Sequence, residues 1–337
     1  MIFPQTFGPY TLLKLLAARS KSRTFLARRE SSSDALYVVK RPDPEFLRDG
    51  ARVLRHRHEA RLLMRLRHPN IVRGVDSGQV NGEPYLAMEY VDEARPLDDI
   101  LATLNRHGKR LPEGIALWIA REVAAAVEYL HGATEEGGKP LDLVLLDLGV
   151  HNVLIARDGK VKLVDLESAS SALISWKAVG EGCSAYNAPE QLVSGRDIDQ
   201  RADVYAAGIV LFFLLTCRSP VSQDFAVKNM RANFARRLFR NLHPLPSDVD
   251  RGLARYDAMV DRALHYLPEK RYQTMREWRQ ELDRALEEVA PKCSTEILAA
   301  YLREVVEPLR TQAVPDASRA GEERFTRQVT TTGAYAL

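Results

Sequence analysis

Four residues separate Asp147 from Asn152, and Asp165 follows thirteen residues after Asn152, at the end of an apolar run. Two carboxylates and an amide on one hairpin form a donor set for a metal–phosphate site. Moving a γ-phosphoryl group requires divalent cations held by oxygen ligands and a carboxylate that orients the attacking hydroxyl. On that chemistry Asp165 and Asn152 take the metal and Asp147 takes the hydroxyl. An isolated aspartate at a turn means no more than a helix cap or an Asx-turn. The weight therefore rests on what surrounds these three residues.

The surrounding chain supplies elements able to hold them. Over the first ninety residues, β-rich runs at Tyr10 to Leu16, Arg23 to Arg28, Ala35 to Lys40, Ile71 to Gln79 and Pro84 to Tyr90 alternate with one helical pattern near Leu47 to Leu66. This predicts an antiparallel sheet carrying one helix, with Leu54, Leu62, Leu63 and Leu66 as its apolar stripe and Arg52, Arg55, Arg57 and Arg61 toward solvent. Beyond a connection at Asp92 to Leu97 the pattern turns helical: Leu111 to His131, Val204 to Thr216 and Thr274 to Val289. A glycine-rich turn and two strand-like runs, Leu143 to Leu148 and Val161 to Val164, carry the three polar residues. A further helix is expected from about Pro291, with Ile297, Leu298, Tyr301, Leu302, Val305 and Leu309 at near-helical spacing; it could pack on the large lobe, mediate a dimer or link to a partner.

Composition narrows the class. A chain of 337 residues, 45% hydrophobic and 28% charged, is that of an enzyme-sized globular protein with room for two cores. Its 48 Lys and Arg are nearly offset by 45 Asp and Glu, leaving a formal charge of +3, so bulk electrostatics does not announce a nucleic-acid partner. The basic runs Arg52 to His68 and Arg231 to Arg240 read as solvated helix faces. Cys183, Cys217 and Cys293 are too widely spaced for a disulfide framework or a structural zinc site. No leader pattern opens the chain, and its most apolar stretch, Gly208 to Thr216, is too short to cross a bilayer. A cytoplasmic location with no membrane partner is expected.

In order along the chain, Tyr37-Val38-Val39-Lys40, Glu59 within His58-Glu59-Ala60-Arg61, and Tyr85-Leu86-Ala87-Met88-Glu89-Tyr90-Val91 precede Leu145-Leu146-Asp147-Leu148-Gly149-Val150-His151-Asn152. Asp165-Leu166-Glu167, Ala188-Pro189-Glu190, Asp203-Val204-Tyr205 and Arg271 come after them. The series resembles the eukaryotic-like, bacterial-type serine/threonine protein kinase family from about Tyr10 to Leu286. The resemblance implies an α+β, bilobal protein kinase fold: a small antiparallel-sheet N-lobe with one long helix, and a mainly helical C-lobe. It divides the matched chain into residues 1–91 (N-lobe) and 92–290 (C-lobe), and the residue pattern beyond adds 291–312 (a C-terminal helix) and 313–337 (a flexible polar tail). It further implies ATP with Mg²⁺ or Mn²⁺ as cofactors and a protein substrate. Lys40 would hold the α and β phosphates and pair with Glu59. Met88 would be the gatekeeper, with the backbones of Glu89 and Val91 facing adenine. Asp147 would be the catalytic base, Asn152 and Asp165 the metal ligands, and Arg271 the partner of Glu190.

Several positions depart from the family pattern. Ala17, Arg19 and Ser22 occupy the three glycine positions of the phosphate loop, where side chains oppose close backbone approach. Ala17, Ser20 and Lys21 remain candidates for contacting nucleotide there. Leu145 and Leu146 replace the His-Arg pair, and Gly149 replaces the lysine that contacts the transferred phosphate, which predicts a slower reaction. Without that arginine, phosphorylation at Ser168, Ser170, Ser171 or Ser175 is not expected to be the on-switch. Leu166 and Glu167 stand where the metal triplet has Phe and Gly; Glu167 is expected to face solvent, the alternative being a further carboxylate at the metal.

The leading expectation is therefore transfer of the ATP γ-phosphate to Ser or Thr hydroxyls of a protein, with the chain itself among the candidate substrates. A pseudokinase, acting as a nucleotide-binding or scaffolding protein, is the alternative. Transfer to a small molecule such as an aminoglycoside or choline is opposed by Ala188-Pro189-Glu190 and Arg271, which belong to the protein-substrate branch. The basic tail with Thr330, Thr331 and Thr332 fits a phosphorylation target that a forkhead-associated type of phosphothreonine reader would bind. Neither substrate, stimulus nor oligomeric state is written in the sequence.

Overall fold

The computed structural model describes residues 3–18, 22–30, 35–169, 186–192, 197–218 and 243–312. The chain forms two compact units: the first runs to Asp92 and includes Val164–Ser168, and the second holds Glu93–Leu163 and the described residues from Ala169 onward. The short segment carrying Asp165 thus belongs to the first unit although the chain on either side of it belongs to the second.

In the first unit, strands β1 (Gln5–Phe7), β2 (Tyr10–Ala18), β3 (Ser22–Arg29), β4 (Leu36–Pro42), β5 (Gly74–Val80) and β6 (Glu83–Glu89) make one sheet of order β1-β2-β3-β4-β6-β5. Each described pairing in this sheet is antiparallel. Alternating residues Tyr10, Leu12, Phe25, Ala27, Val39, Tyr85 and Ala87 bury one face of it with Phe7. Arg41 is buried with them, its guanidinium 4.8 Å from the Phe7 ring centre and 5.1 Å from that of Phe25.

Helix α1 (Gly50–Arg65) starts on Asp49, whose carboxylate accepts from the N–H groups of Ala51 and Arg52, and stops where Leu66 turns extended before Pro69. Its buried face is His56, His58, Glu59, Ala60, Leu62 and Leu63. Leu54, expected in the stripe, is 43% exposed. Residues 54 and 59 lie about 140° apart around a helix of 3.6 residues per turn, so turning Glu59 inward sends Leu54 outward.

The second unit is built on α3 (Glu113–His131), which packs against α4 (Arg201–Thr216) and the helix Met275–Val289. From Ala202 to Thr216 every residue of α4 is buried, and Gly208 lets it approach Ala263 and Leu264 closely. Helix α2 (Leu97–Arg106) lies beside a small sheet of β7 (Arg95–Pro96), β8 (Val153–Ile155) and β9 (Val161–Leu163). Leu143–Leu148 is not the strand its apolar run suggests. The run is mostly buried, but two of its N–H groups are taken by a side chain: Asp203 accepts from those of Leu145 and Leu146.

After the helix Met275–Val289 the chain continues through Thr295–Tyr301, a π-turn at Leu302–Val306 and Glu307–Thr311. Pro308 has no N–H to give the helix, and the wider turn just before it accommodates that loss. This segment packs on its own unit through Leu298, Leu302, Val306 and Leu309, and Arg95 donates to Glu307 at 2.9 Å. Residues 313–337, the expected tail, lie outside the described residues. No helix among the described residues is long and apolar enough to cross a membrane.

Candidate active-site residues and family membership

In the first unit, Lys40 on β4 meets Glu59 on α1 through both carboxylate oxygens, at 2.8 and 3.1 Å. The pair is almost wholly buried, with side chains 6% and 0% exposed. The ammonium also donates to Asp165 at 3.0 Å and lies 3.3 Å from Glu167. Burial works against the charged Lys40, but Asp165, Glu59 and Glu167 outweigh it and hold the amine well above the usual lysine range. Burial pushes the Glu59 carboxyl up, with Lys40 pulling the other way.

The backbone explains how Glu167 joins this group. Asp165 adopts the left-handed region at φ 68°, its carboxylate accepts from the N–H of Glu167 at 3.2 Å, and Glu59 accepts from the N–H of Leu166 at 3.1 Å. The chain thus curls around Lys40, and the expectation that Glu167 faces solvent is corrected: its side chain is 17% exposed and turned to the ammonium. Oxygen atoms of Glu59, Asp165 and Glu167 all lie within 4.8 Å of one another. Three carboxylates against one ammonium leave surplus negative charge, so the donor set fits a hard divalent cation.

Met88 is buried on β6. The Glu89 N–H is committed to the Arg73 carbonyl at 2.9 Å, so the backbone group it can offer a base is its carbonyl. Val91 is half-buried just beyond the strand. Ala17 and Ser22 lie in paired strands, opposite Thr24 and Pro42 respectively, where extended backbone has no need of glycine. Arg19, Ser20 and Lys21 lie outside the described residues, as do Cys183, Arg231 to Arg240, Ser170, Ser171 and Ser175.

In the second unit the loop bearing Asp147 is held from three sides. The buried Asp203 carboxylate accepts from Leu145 at 2.9 Å and Leu146 at 3.1 Å and meets His131 Nε2 at 2.8 Å. Gln191 donates to the Leu146 carbonyl at 2.9 Å, and Asn152 Nδ2 donates to the Asp147 carbonyl at 2.9 Å. These bonds fix Leu146 at φ 67°, a conformation that costs a non-glycine residue about 1 kcal/mol. Asp147 itself keeps its carboxylate 43% exposed. Arg271 grips Glu190 through two bonds of 2.6 and 2.8 Å and spends its other donors on the carbonyls of His265, Arg201 and Tyr266. Asp203, Gln191 and His131 are supports that sequence reading does not assign; Asp203 is visible there only as part of a motif.

Residues 18–282 match the protein kinase domain model. The chain belongs to the protein kinase family. Its kinase domain resembles bacterial members: it is 33% identical over 284 residues to the serine/threonine-protein kinase PksC of Streptomyces coelicolor, covering 81% of this chain and 48% of that protein. The tyrosine-protein kinase MasK of Myxococcus xanthus is 30% identical over 335 residues, covering 96% of this chain and 48% of MasK. The chain thus spans about half the length of these relatives. Among solved structures, the kinase domain of PknI from Mycobacterium tuberculosis matches at TM-score 0.64 and 26% identity, covering 86% of this chain and 99% of that one. The fold is the protein kinase fold, and kinases of this family generally use ATP and Mg²⁺.

Proposed function

We propose that this kinase is active and moves the γ-phosphate of ATP to a Ser or Thr hydroxyl of a protein. The observation that carries the reading is the buried Lys40–Glu59 pair with Asp165 on the same ammonium. A fully buried ion pair contributes little net stability against an apolar alternative, so its presence is better explained by a phosphate to be received. Lys40 orients the α and β phosphates, and Met88, Glu89 and Val91 face the adenine. Ala17, Ser20 and Lys21 remain the phosphate-loop residues this reading takes as nucleotide contacts. Asp165 and Asn152 are the residues that would hold Mg²⁺ or Mn²⁺, which when bound neutralises charge on the phosphates. Asp147 orients the acceptor hydroxyl and takes its proton as the oxygen attacks phosphorus and the bond to the β-phosphate oxygen breaks, releasing ADP.

The test is transfer from γ-labelled ATP with Mg²⁺ and separately with Mn²⁺, by the wild type and by Asp165→Ala, with labelled residues mapped by mass spectrometry. Label that appears on Ser or Thr and vanishes in the variant supports the reading. Label on tyrosine would keep the kinase and change the acceptor. No label under either metal from folded protein would favour a nucleotide-binding scaffold. The same map reports whether Thr330 to Thr332 are the chain's own targets, which a forkhead-associated reader would require. A cytoplasmic setting belongs to this reading too.

A further inference from the structure

Gly149 takes the position of the lysine that contacts the transferred phosphate in the family, and its surroundings show what fills the space. A Cβ at residue 149 would lie 2.5 Å from His151 Cε1 and 2.7 Å from its Nδ1. Nothing about the backbone demands glycine here, since φ is −163°. The imidazole, with Tyr186 Cδ2 at 3.0 Å beside it, is what crowds a side chain there. A turn closed by Asn152 N–H on the Gly149 carbonyl, 3.0 Å, folds His151 back over residue 149. The ring is held against Tyr186 at 5.5 Å between centres, and Tyr186 in turn stacks on Phe213 at 5.9 Å. From this seat His151 Nε2 lies 3.9 Å from Asp147 Oδ1, with the imidazole 23% exposed.

We propose that His151 takes over part of the work of the missing lysine: its Nε2, 3.9 Å from Asp147 Oδ1 and so outside hydrogen-bond range at rest, closes on that carboxylate and steadies it when the acceptor is bound. Loss of the lysine and gain of the histidine are then one exchange, because the imidazole and a side chain at residue 149 compete for the same volume. His151 is a positioning residue for Asp147. It supplies a hydrogen bond only once the 3.9 Å gap to Asp147 has closed, and takes no proton in the transfer. A donor that closes on the catalytic carboxylate beside the reacting groups is worth a large rate factor, whereas a ring that only packs on Tyr186 is worth none.

The inference rests on the kinase reading, and two shape-conserving substitutions separate donor from packing. His151→Phe keeps the bulk and the contact with Tyr186 but removes the donor; His151→Gln keeps an N–H. The expected result is a fall in kcat of about a hundredfold for His151→Phe, with His151→Gln staying within about tenfold of wild type. The KM for ATP, the MgATP affinity by calorimetry and the melting temperature should be nearly unchanged in both. Gly149→Lys should impair the wild type, where the ring blocks it, and should raise kcat when added to His151→Ala. His151→Phe turning over at the wild-type rate, or His151→Gln no faster than His151→Phe, overturns the inference while leaving the kinase standing. A wild type that labels nothing removes the kinase reading and this inference with it.

Discussion

His56 shows how far a side chain can sit from its ordinary chemistry when the fold makes no provision for it. It is 2% exposed on the inner face of α1, and neither ring nitrogen has a hydrogen-bond partner. Burial, reinforced by the Lys40 charge and only partly opposed by Asp165, brings its pKa from 6.5 down to about 3. The folded state therefore keeps the ring neutral, while the unfolded chain binds a proton below pH 6.5. Stability from this residue is complete above about pH 6.5 and is lost as pH falls toward about 3, by up to about 1.4 kcal/mol per pH unit. Replacing a buried polar group that has no partner by an apolar one of similar size is close to neutral. His56→Leu should thus unfold at the wild-type urea concentration, within about 1 kcal/mol, at pH 7.5, and be the more stable protein at pH 5. Parallel stability curves for the two proteins between pH 7.5 and pH 5 would show that the ring finds a partner in solution.

Helix α1 and the C-terminal segment mark the boundary between what the sequence shows and what only packing decides. The order of motifs makes the fold legible, and with it the pairing of Lys40 with Glu59 that the structure forms. Apolar spacing places α3 and α4 within two or three residues of their observed starts. It misplaces Leu54, because the constraint on α1 is Glu59, which must reach Lys40 and the Leu166 N–H, polar contacts that a hydrophobicity pattern does not register. It also suggests a strand at Leu143–Leu148, where the partner of two of the N–H groups is the Asp203 side chain, fifty-seven residues beyond Leu146. Glu167 turns inward because a φ of 68° at Asp165 reverses the direction of the chain after it, and residue identity does not reveal that angle. The seat of the C-terminal segment is equally hidden, since it depends on Gly159. That residue has φ +84°, and a Cβ on it would lie 2.0 Å from the Thr295 carbonyl oxygen and 2.9 Å from the Ala299 nitrogen. Backbone atoms cannot step aside as a side-chain tip can. Gly159→Ala should therefore lift Thr295–Tyr301 from its seat, with faster amide exchange there and roughly 2 kcal/mol or more of lost stability. Gly82→Ala is the control, because Gly82 has the same φ with nothing within 4 Å of the added carbon. Equal effects from the two substitutions would mean that strain alone, and not the seat, accounts for the loss.

A formal charge of +3 conceals how the charges that matter are distributed. Around Lys40 the local balance is negative, with Glu59, Asp165 and Glu167 all directed at one ammonium. On the proposed nucleotide site, ATP would bring further negative charge, so the triphosphate alone would be poorly matched to this neighbourhood, and a divalent cation that cancels part of the charge would change the balance. Binding to the folded state alone stabilises it by RT ln(1 + [L]/Kd), about 2.7 kcal/mol at a hundred times Kd. ATP with Mg²⁺ should accordingly raise the melting temperature of the wild type well above the shift given by ATP with a chelator. Asp165→Ala should lose most of that metal-dependent increment. Glu167→Gln should bind metal-free ATP better than the wild type does, because it removes one of the carboxylates that compete with phosphate for Lys40. The same thermal melts, run with and without the metal, check all three. If metal-free ATP stabilises the wild type as strongly as MgATP does, the carboxylates are not competing with the phosphates, and Glu167 contributes nothing to how this kinase admits its nucleotide.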